Sequence, residues 1–289
     1  MNRRSRLVSG SLAIVASLSP LAVSAQSVSV LAAAPGDGDG FVPSGSTPSN
    51  NPTGSRQVIG RDDRVPVVSR EYPWRAIGRV EILDEESQEP IGHCTGTLIG
   101  VDLVLTNAHC VIDRKTNKLA SRIWQFRPNV INGEAQDDAI VTHVTYGTDF
   151  SDEDTSNKDD WALLKLNKPL GNKYGYLGWR SIEPQTLISS FKGKISILGY
   201  SGDFPKSNPG STAGYSRGCS FLPASPAGTI FHNCDTNPGA SGSAVLTWVE
   251  GKPYVVGLHA GSNTFDTGEK VNRAVEVSRW AKVAKEMRQ

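Results

Sequence analysis

From Arg75 to Ala260 the chain keeps returning to one pattern, a short apolar run with partial alternation followed by a turn. The runs are RAIGRVEIL, GTLIGVDLVLT, DAIVTHVTY, DWALLKL, KISILGY, SAVLTWV and YVVGLHA. Asn132-Gly133, Lys192-Gly193 and Glu250-Gly251 are among the separators, and pairs of this kind favour tight reversals between strands. Such spacing predicts an all-β barrel or sandwich rather than alternating β and α units. No internal repeat interrupts it. The C-terminus, NRAVEVSRWAKVAKEMRQ, is the exception. There Ala274, Val277, Trp280, Ala281, Ala284 and Met287 recur at three- and four-residue spacing, which predicts a helix with one face docked on the core.

The N-terminus has a different composition. Arg3, Arg4 and Arg6 precede an apolar run that Pro20 interrupts, and Ala22-Val23-Ser24-Ala25 supplies small residues before Gln26. Residues 1–25 therefore read as an export signal, too short and broken for a membrane span. Residues 26–57 include APGDGDGFVPSGSTPSNNPTGSR, with few side chains to fill a core, and are expected to be an unstructured linker or propeptide. Asp37 and Asp39 read there as solvated carboxylates rather than a metal pair. The remaining residues, 58–289, suit one domain in two halves, about 58–175 and 176–289. A formal net charge of +1 gives no pull toward nucleic acid or anionic membranes.

Cys94, Cys110, Cys219 and Cys234 are the four cysteines. An even number in an exported chain points to two disulfides. Three pairings are open, of which the local one, Cys94–Cys110 with Cys219–Cys234, closes two modest loops. No C-x2-C pair is present, so the set does not match a zinc site. The acidic stretch DFSDEDTSNKDD (149–160) lacks the glycine and ligand order of a calcium loop. Its last residue, Asp160, differs from the others because WALLKL follows at once, and a carboxylate entering a buried strand needs a partner.

His109, at the end of LVLTNAHCV, is a candidate partner. Ser241, in NPGASGSAV, sits among residues with almost no bulk. These three side chains fit the roles of nucleophilic acyl transfer. A serine hydroxyl needs a base, an imidazole of pKa about 6.5 can take and return its proton, and a buried carboxylate orients the ring. The glycines around Ser241 would leave the N–H groups of Gly239 and Ser241 bare to cradle an oxyanion, each such donor being worth about 3 kcal/mol in comparable sites.

TNAHC, DWALLKL and GASGS, in the chain order His, Asp, Ser, resemble the chymotrypsin-like serine peptidases over essentially everything from residue 58 onward. That resemblance implies two six-stranded antiparallel β-barrels with the active site in the cleft between them, a C-terminal helix, and the Cys94–Cys110 bridge. It implies protein or peptide substrates, a secreted monomer and no cofactor or metal. Within the family, VIGRDDR (58–64), GYSGD (199–203), CDTNPGASGS and GLHAGS are similar to segments of bacterial glutamyl endopeptidases. The similarity implies that Thr236 and His259 bind an acidic substrate side chain. Folding SAVLTWV against PYVVGLHA about Gly251 puts His259 opposite Ser243 and near Ser241.

Two departures matter. Ala240 replaces the aspartate that pairs with a newly freed N-terminus in pancreatic relatives, so activation by that salt bridge is excluded. Removal of the chain up to about Gln57 is the expected alternative. Asp235 stands six residues before Ser241, where trypsin carries the carboxylate that attracts Lys and Arg, so trypsin-like specificity is a competing expectation. A non-catalytic binding protein on the same fold is a further one, disfavoured because no candidate catalytic residue is missing. His93, His143 and His232 receive no chemistry. Trp74, Trp124, Trp161, Trp179 and Trp248 read as packing residues.

Overall fold

The computed structural model describes residues 33–44, 62–113, 116–120, 122–147, 158–223, 229–264 and 270–288. The expected signal (1–25), the start of VIGRDDR and most of the acidic stretch lie outside them. The first half contains β2 (Ile77–Leu83), β3 (Pro90–Leu98), β4 (Leu103–Thr106), β7 (Ile123–Pro128), β8 (Ala139–Tyr146) and β9 (Ala162–Leu166). They close into an antiparallel barrel in the order β2-β3-β4-β9-β8-β7. A two-stranded ribbon, β5 (Ile112–Asp113) with β6 (Lys118–Leu119), stands apart from it. Alternation explains the barrel locally: in β7, Trp124, Phe126 and Pro128 are buried while Ile123, Gln125 and Arg127 are half-exposed, the period of a strand with one face on a core.

The second half is a nine-stranded sheet rather than the expected ring of six. Its path is β1 (Val65–Pro66), β12 (Gly214–Cys219), β11 (Ile195–Gly199), β15 (Ala244–Val249), β16 (Lys252–Thr264), β17 (Lys270–Val275), β14 (Ile230–His232) and β13 (Phe221–Leu222). β10 (Gly178–Trp179) runs parallel to β16 off this path. One of its strands comes from the other half, since β1 precedes the first barrel in the chain yet pairs with β12. Residues 33–44, expected to be unstructured, form backbone bridges from Gly38 to Trp179 and from Phe41 to Tyr176.

The C-terminal helix is shorter than expected, α3 (Ala281–Met287). Residues 272–275 are strand instead, because Ala274 pairs with both Ile230 and His259; two ladders outweigh one turn of helical spacing. Two further short helices are α1 (Leu170–Tyr174) and α2 (Pro184–Ser190). Among the described residues no helix is long and apolar enough to cross a membrane. Trp74, Trp124, Trp161 and Trp179 are buried, while Trp248 packs at the edge of the core. Cys94 is bonded to Cys110 and Cys219 to Cys234, with Cα atoms 6.2 and 5.1 Å apart.

Candidate active site

β4 ends at Thr106, and a single turn (Ala108–Cys110) carries His109 out of the barrel. β9 begins at Ala162, so Asp160 lies just ahead of the strand that pairs with β4. The ladder brings the two side chains together. His109 Nδ1–H donates to Asp160 Oδ2 at 2.7 Å, and the His109 backbone N–H donates to Asp160 Oδ1 at 3.0 Å. Asp160 is fully buried. Asn107 Nδ2 donates to its carbonyl at 2.7 Å, which fixes the backbone that presents the carboxylate. A buried carboxylate is stabilised by donors of this kind and in turn fixes the ring tautomer, leaving Nε2 as the basic nitrogen.

Ser241 lies across the cleft on the turn before β15. A cleft of about 590 Å³ is lined by His109, Ser241, Asp235, Thr236, His259 and Arg273, among others. The turn at Ser241 is held by its carbonyls. Pro238 C=O accepts from Gly202 N–H at 2.7 Å. Ala240 C=O accepts from Ser243 N–H at 3.0 Å and from Ser243 Oγ–H at 2.6 Å. A peptide unit is planar and trans, so anchoring those two carbonyls aims the N–H groups of Gly239 and Ser241 to the opposite side. Neither N–H donates to a backbone carbonyl among the described residues. Gly239, at φ +98°, is required: a Cβ there would lie 2.5 Å from Tyr200 O and 2.7 Å from His93 Nε2. His93, to which the sequence assigned no chemistry, bonds Tyr200 O at 2.8 Å beneath this turn.

His259 reaches the cleft through the β15–β16 hairpin, whose turn at Glu250 and Gly251 has both residues at positive φ. Ala244 pairs with Leu258, and His259 N–H then donates to Ser243 O at 2.9 Å. Behind it lies His232, to which the sequence assigned no chemistry. Cys234 N–H donates to His232 Nδ1 at 3.3 Å, so His232 carries its proton on Nε2 and donates it to His259 Nδ1 at 3.1 Å. The proton of His259 is thereby left on its Nε2. Burial holds both rings neutral, pushing His232 down to about 3 and His259 well below the ordinary imidazole value. Nothing in the local sequence around His232 signalled this, since the two histidines meet through separate strands.

Asp235 borders the same cleft. Burial raises its carboxyl to about 7, with Asp63 and Asp62 adding like charge; the Asp63 N–H reaches Asp235 Oδ2 at 3.4 Å. The neighbouring segment is pinned by Arg64, whose guanidinium donates to Asp62 and, at 2.9 and 2.8 Å, to both oxygens of Asp203. Asp203 also accepts from Asn237 Nδ2 at 2.7 Å. The DDR and GYSGD motifs thus meet beside CDTNPGASGS. Arg273, unremarked in the sequence, brings a guanidinium to the cleft wall and donates to Ala260 O at 3.2 Å.

The profile of the family described as lysyl endopeptidase, C-terminal domain, matches residues 73–274. The chain belongs to that family and is a chymotrypsin-like serine peptidase. The peptidase is 26% identical over 240 residues to glutamyl endopeptidase of Bacillus licheniformis, covering 79% of this chain and 70% of the relative. It is 28% identical over 232 residues to human serine protease 23, covering 72% of this chain. It spans 55% of that relative's length. The solved structure of a Glu endopeptidase in complex with MPD aligns with a TM-score of 0.63 at 24% identity, covering 81% of the peptidase and 100% of that chain. A thermostable serine protease, AL20, aligns at 0.57 with 16% identity, covering 73% and 98%. These two likenesses concern the fold. The peptidase is a serine endopeptidase acting on protein or peptide substrates.

Proposed function

We propose that the peptidase is exported, acts as a monomer, and cleaves after glutamate or aspartate through an acyl-enzyme. The observation that carries the chemistry is the 2.7 Å contact of His109 Nδ1 with a fully buried Asp160, in a cleft that Ser241 also lines. The Ser241 hydroxyl gives its proton to His109 Nε2 while Oγ bonds to the scissile carbonyl carbon. The carbonyl electrons move onto oxygen, which the N–H groups of Gly239 and Ser241 receive. Collapse breaks the C–N bond, and His109 returns the proton to the departing amine. Water then repeats the sequence on the ester, with Asp160 holding the imidazolium at each stage.

Acidic specificity is supported by the cleft wall. His259, with its Nε2 proton fixed by the His232 relay, and Thr236 offer uncharged donors to a carboxylate. Arg273 adds a positive charge to the same wall. Asp235 argues for Lys or Arg instead, but it keeps its proton up to a pH of about 7, and a neutral acid neither attracts a cation nor repels a glutamate. Export is supported by the two disulfides, which form and persist in oxidising compartments.

Peptides ending in Glu, Asp, Gln, Lys or Arg before a chromogenic amine test both levels. Glu and Asp substrates should be cleaved fastest at pH 6.5, and a fluorophosphonate should label Ser241. Preference for Lys or Arg would overturn the specificity. Absence of labelling, or unchanged proteolysis in Ser241→Ala, would overturn the mechanism.

A further inference from the structure

The repeat Gly36-Asp37-Gly38-Asp39-Gly40 takes no part in the chemistry above, yet every residue in it has a defined seat. Gly38 O accepts from Trp179 N–H at 2.8 Å, and Phe41 exchanges N–H and C=O with Tyr176 at 2.8 and 3.0 Å. The glycines bring backbone against backbone and ring. A Cβ on Gly38 would come within 2.8 Å of the Trp179 ring, and one on Gly178 within 2.6 Å of Gly38 O and Gly40 N. The aspartates between them take the donors that remain. Asp37 Oδ1 accepts Ser181 N–H at 2.7 Å, and Asp39 Oδ1 accepts Arg180 Nη2 at 2.7 Å. Trp179 Nε1–H donates to Gly36 O at 2.8 Å. Phe41 stacks on Tyr176 with ring centroids 5.5 Å apart.

Arg288, beyond the end of α3, completes the seat. Its guanidinium lies 4.1 Å over Trp179 and donates to Asp39 O at 2.7 Å and Leu177 O at 2.9 Å, as well as to Ile99 O. One side chain therefore joins the arm, the connector between the two halves, and the loop between β3 and β4. None of these partners lines the catalytic cleft.

We propose that residues 33–44 are a strap whose seat on Tyr176–Ser181 and Arg288 does not depend on its covalent link to residue 62, so that a chain cut between the two stays together as a two-piece assembly. The cut is one hydrolysis, water adding across a single peptide bond, and it removes none of the contacts described. An alternating Gly-Asp pattern that matches glycine to close approach and aspartate to donor is a design for binding in extended form, as in strand addition to a sheet. Extended strands held by main-chain bonds with anchoring side chains do not need covalent continuity.

The test inserts a site-specific protease recognition sequence between residues 48 and 54 of the full chain, cuts it, and separates the products by size exclusion under native conditions. The 33–44 fragment should co-elute with the body in a one-to-one ratio by mass at micromolar concentration. Gly38→Val, confined to the arm, should release it, as should Asp37→Ala to a lesser degree. If Gly38→Val prevents folding of the uncut chain, a labelled synthetic 33–44 peptide exchanged into the cut wild-type protein replaces it. The wild-type peptide should bind and its Gly38→Val counterpart at least tenfold more weakly. Elution of the wild-type fragment away from the body, or equal retention of both forms, would overturn the proposal.

Discussion

Thr95 holds the turn that carries Ser241 from beneath. Its N–H donates to Ser241 O at 2.8 Å and its Oγ1–H to Gly239 O at 2.9 Å. The same hydroxyl accepts Tyr200 N–H at 2.9 Å, and its carbonyl accepts Thr106 Oγ1–H at 2.8 Å. Thr95 is fully buried, so Thr95→Val keeps the shape and strands one carbonyl and one N–H away from water. A loss of about 1–3 kcal/mol in stability follows from that stranding. Because the turn is loosened and the cleft walls are not, kcat should fall about tenfold or more with KM little changed, and Thr95→Ser should restore both. Asp235 makes a second prediction at this scale. Burial pushes its carboxyl up to about 7, which favours the neutral acid below that pH and the anion above. The ratio of kcat/KM for a Glu substrate to that for its Gln analogue cancels the shared chemistry. It should fall as pH rises from 6 to 8, and Asp235→Asn should flatten it. A ratio independent of pH in the wild type would contradict this account. The sign for stability agrees: a carboxyl whose pKa is raised by folding stabilises the folded state at low pH, and that contribution is lost as pH climbs through about 7.

The β15–β16 hairpin was legible element by element because local chemistry specified it. Glu250 and Gly251, at φ 50° and 75°, make a two-residue turn with both centres in the left-handed region, and alternation carries the register to His259. The β-bulge between Val245 and Leu246 left no sequence mark. His109 and Asp160 were legible because each sits at the edge of an apolar strand and carries a group that strand burial cannot leave unpartnered. His232 and Arg273 were not, because their partners come from another strand: His232 on β14 meets His259 on β16, and Arg273 on β17 meets Ala260 on β16. Residues 272–275 misled for a related reason: helical spacing of Ala274 and Val277 is also compatible with a strand running into a turn. The GDGDG arm misled because its composition lacks a core, yet it is held by backbone and charge. A prediction separates the two uses of glycine. Gly251→Ala meets nothing within 4 Å, so it should cost only the left-handed dihedral, about 1 kcal/mol, with activity retained. At Gly242 a Cβ would lie 2.2 Å from Thr95 O and 2.3 Å from Thr106 Oγ1, so Gly242→Ala must move the turn that carries Ser241 and, on the proposed mechanism, should lose most activity. Urea midpoints and kcat/KM for the pair check both statements.

At the scale of the molecule, the two halves share one core. Leu103, Leu105 and Leu163 of the barrel pack in the same cluster as Leu198, Leu246, Val255 and Leu258 of the sheet. The C-terminal segment closes this cluster: Trp280 is fully buried and meets Trp179 edge-to-face at 5.4 Å. Hydrophobic burial is non-directional and roughly proportional to area, so a shared cluster couples the halves more strongly than a polar interface between separable domains would. Unfolding of the described body should therefore be a single cooperative transition, with tryptophan fluorescence, far-ultraviolet circular dichroism and loss of peptidase activity coinciding. Trp280→Ala removes a large side chain from that cluster and should cost about 3–5 kcal/mol. If the core is common property, the variant shifts one transition as a whole. Were the halves independent, the sheet alone would melt early, the barrel would keep its original midpoint, and the fluorescence and dichroism curves would part.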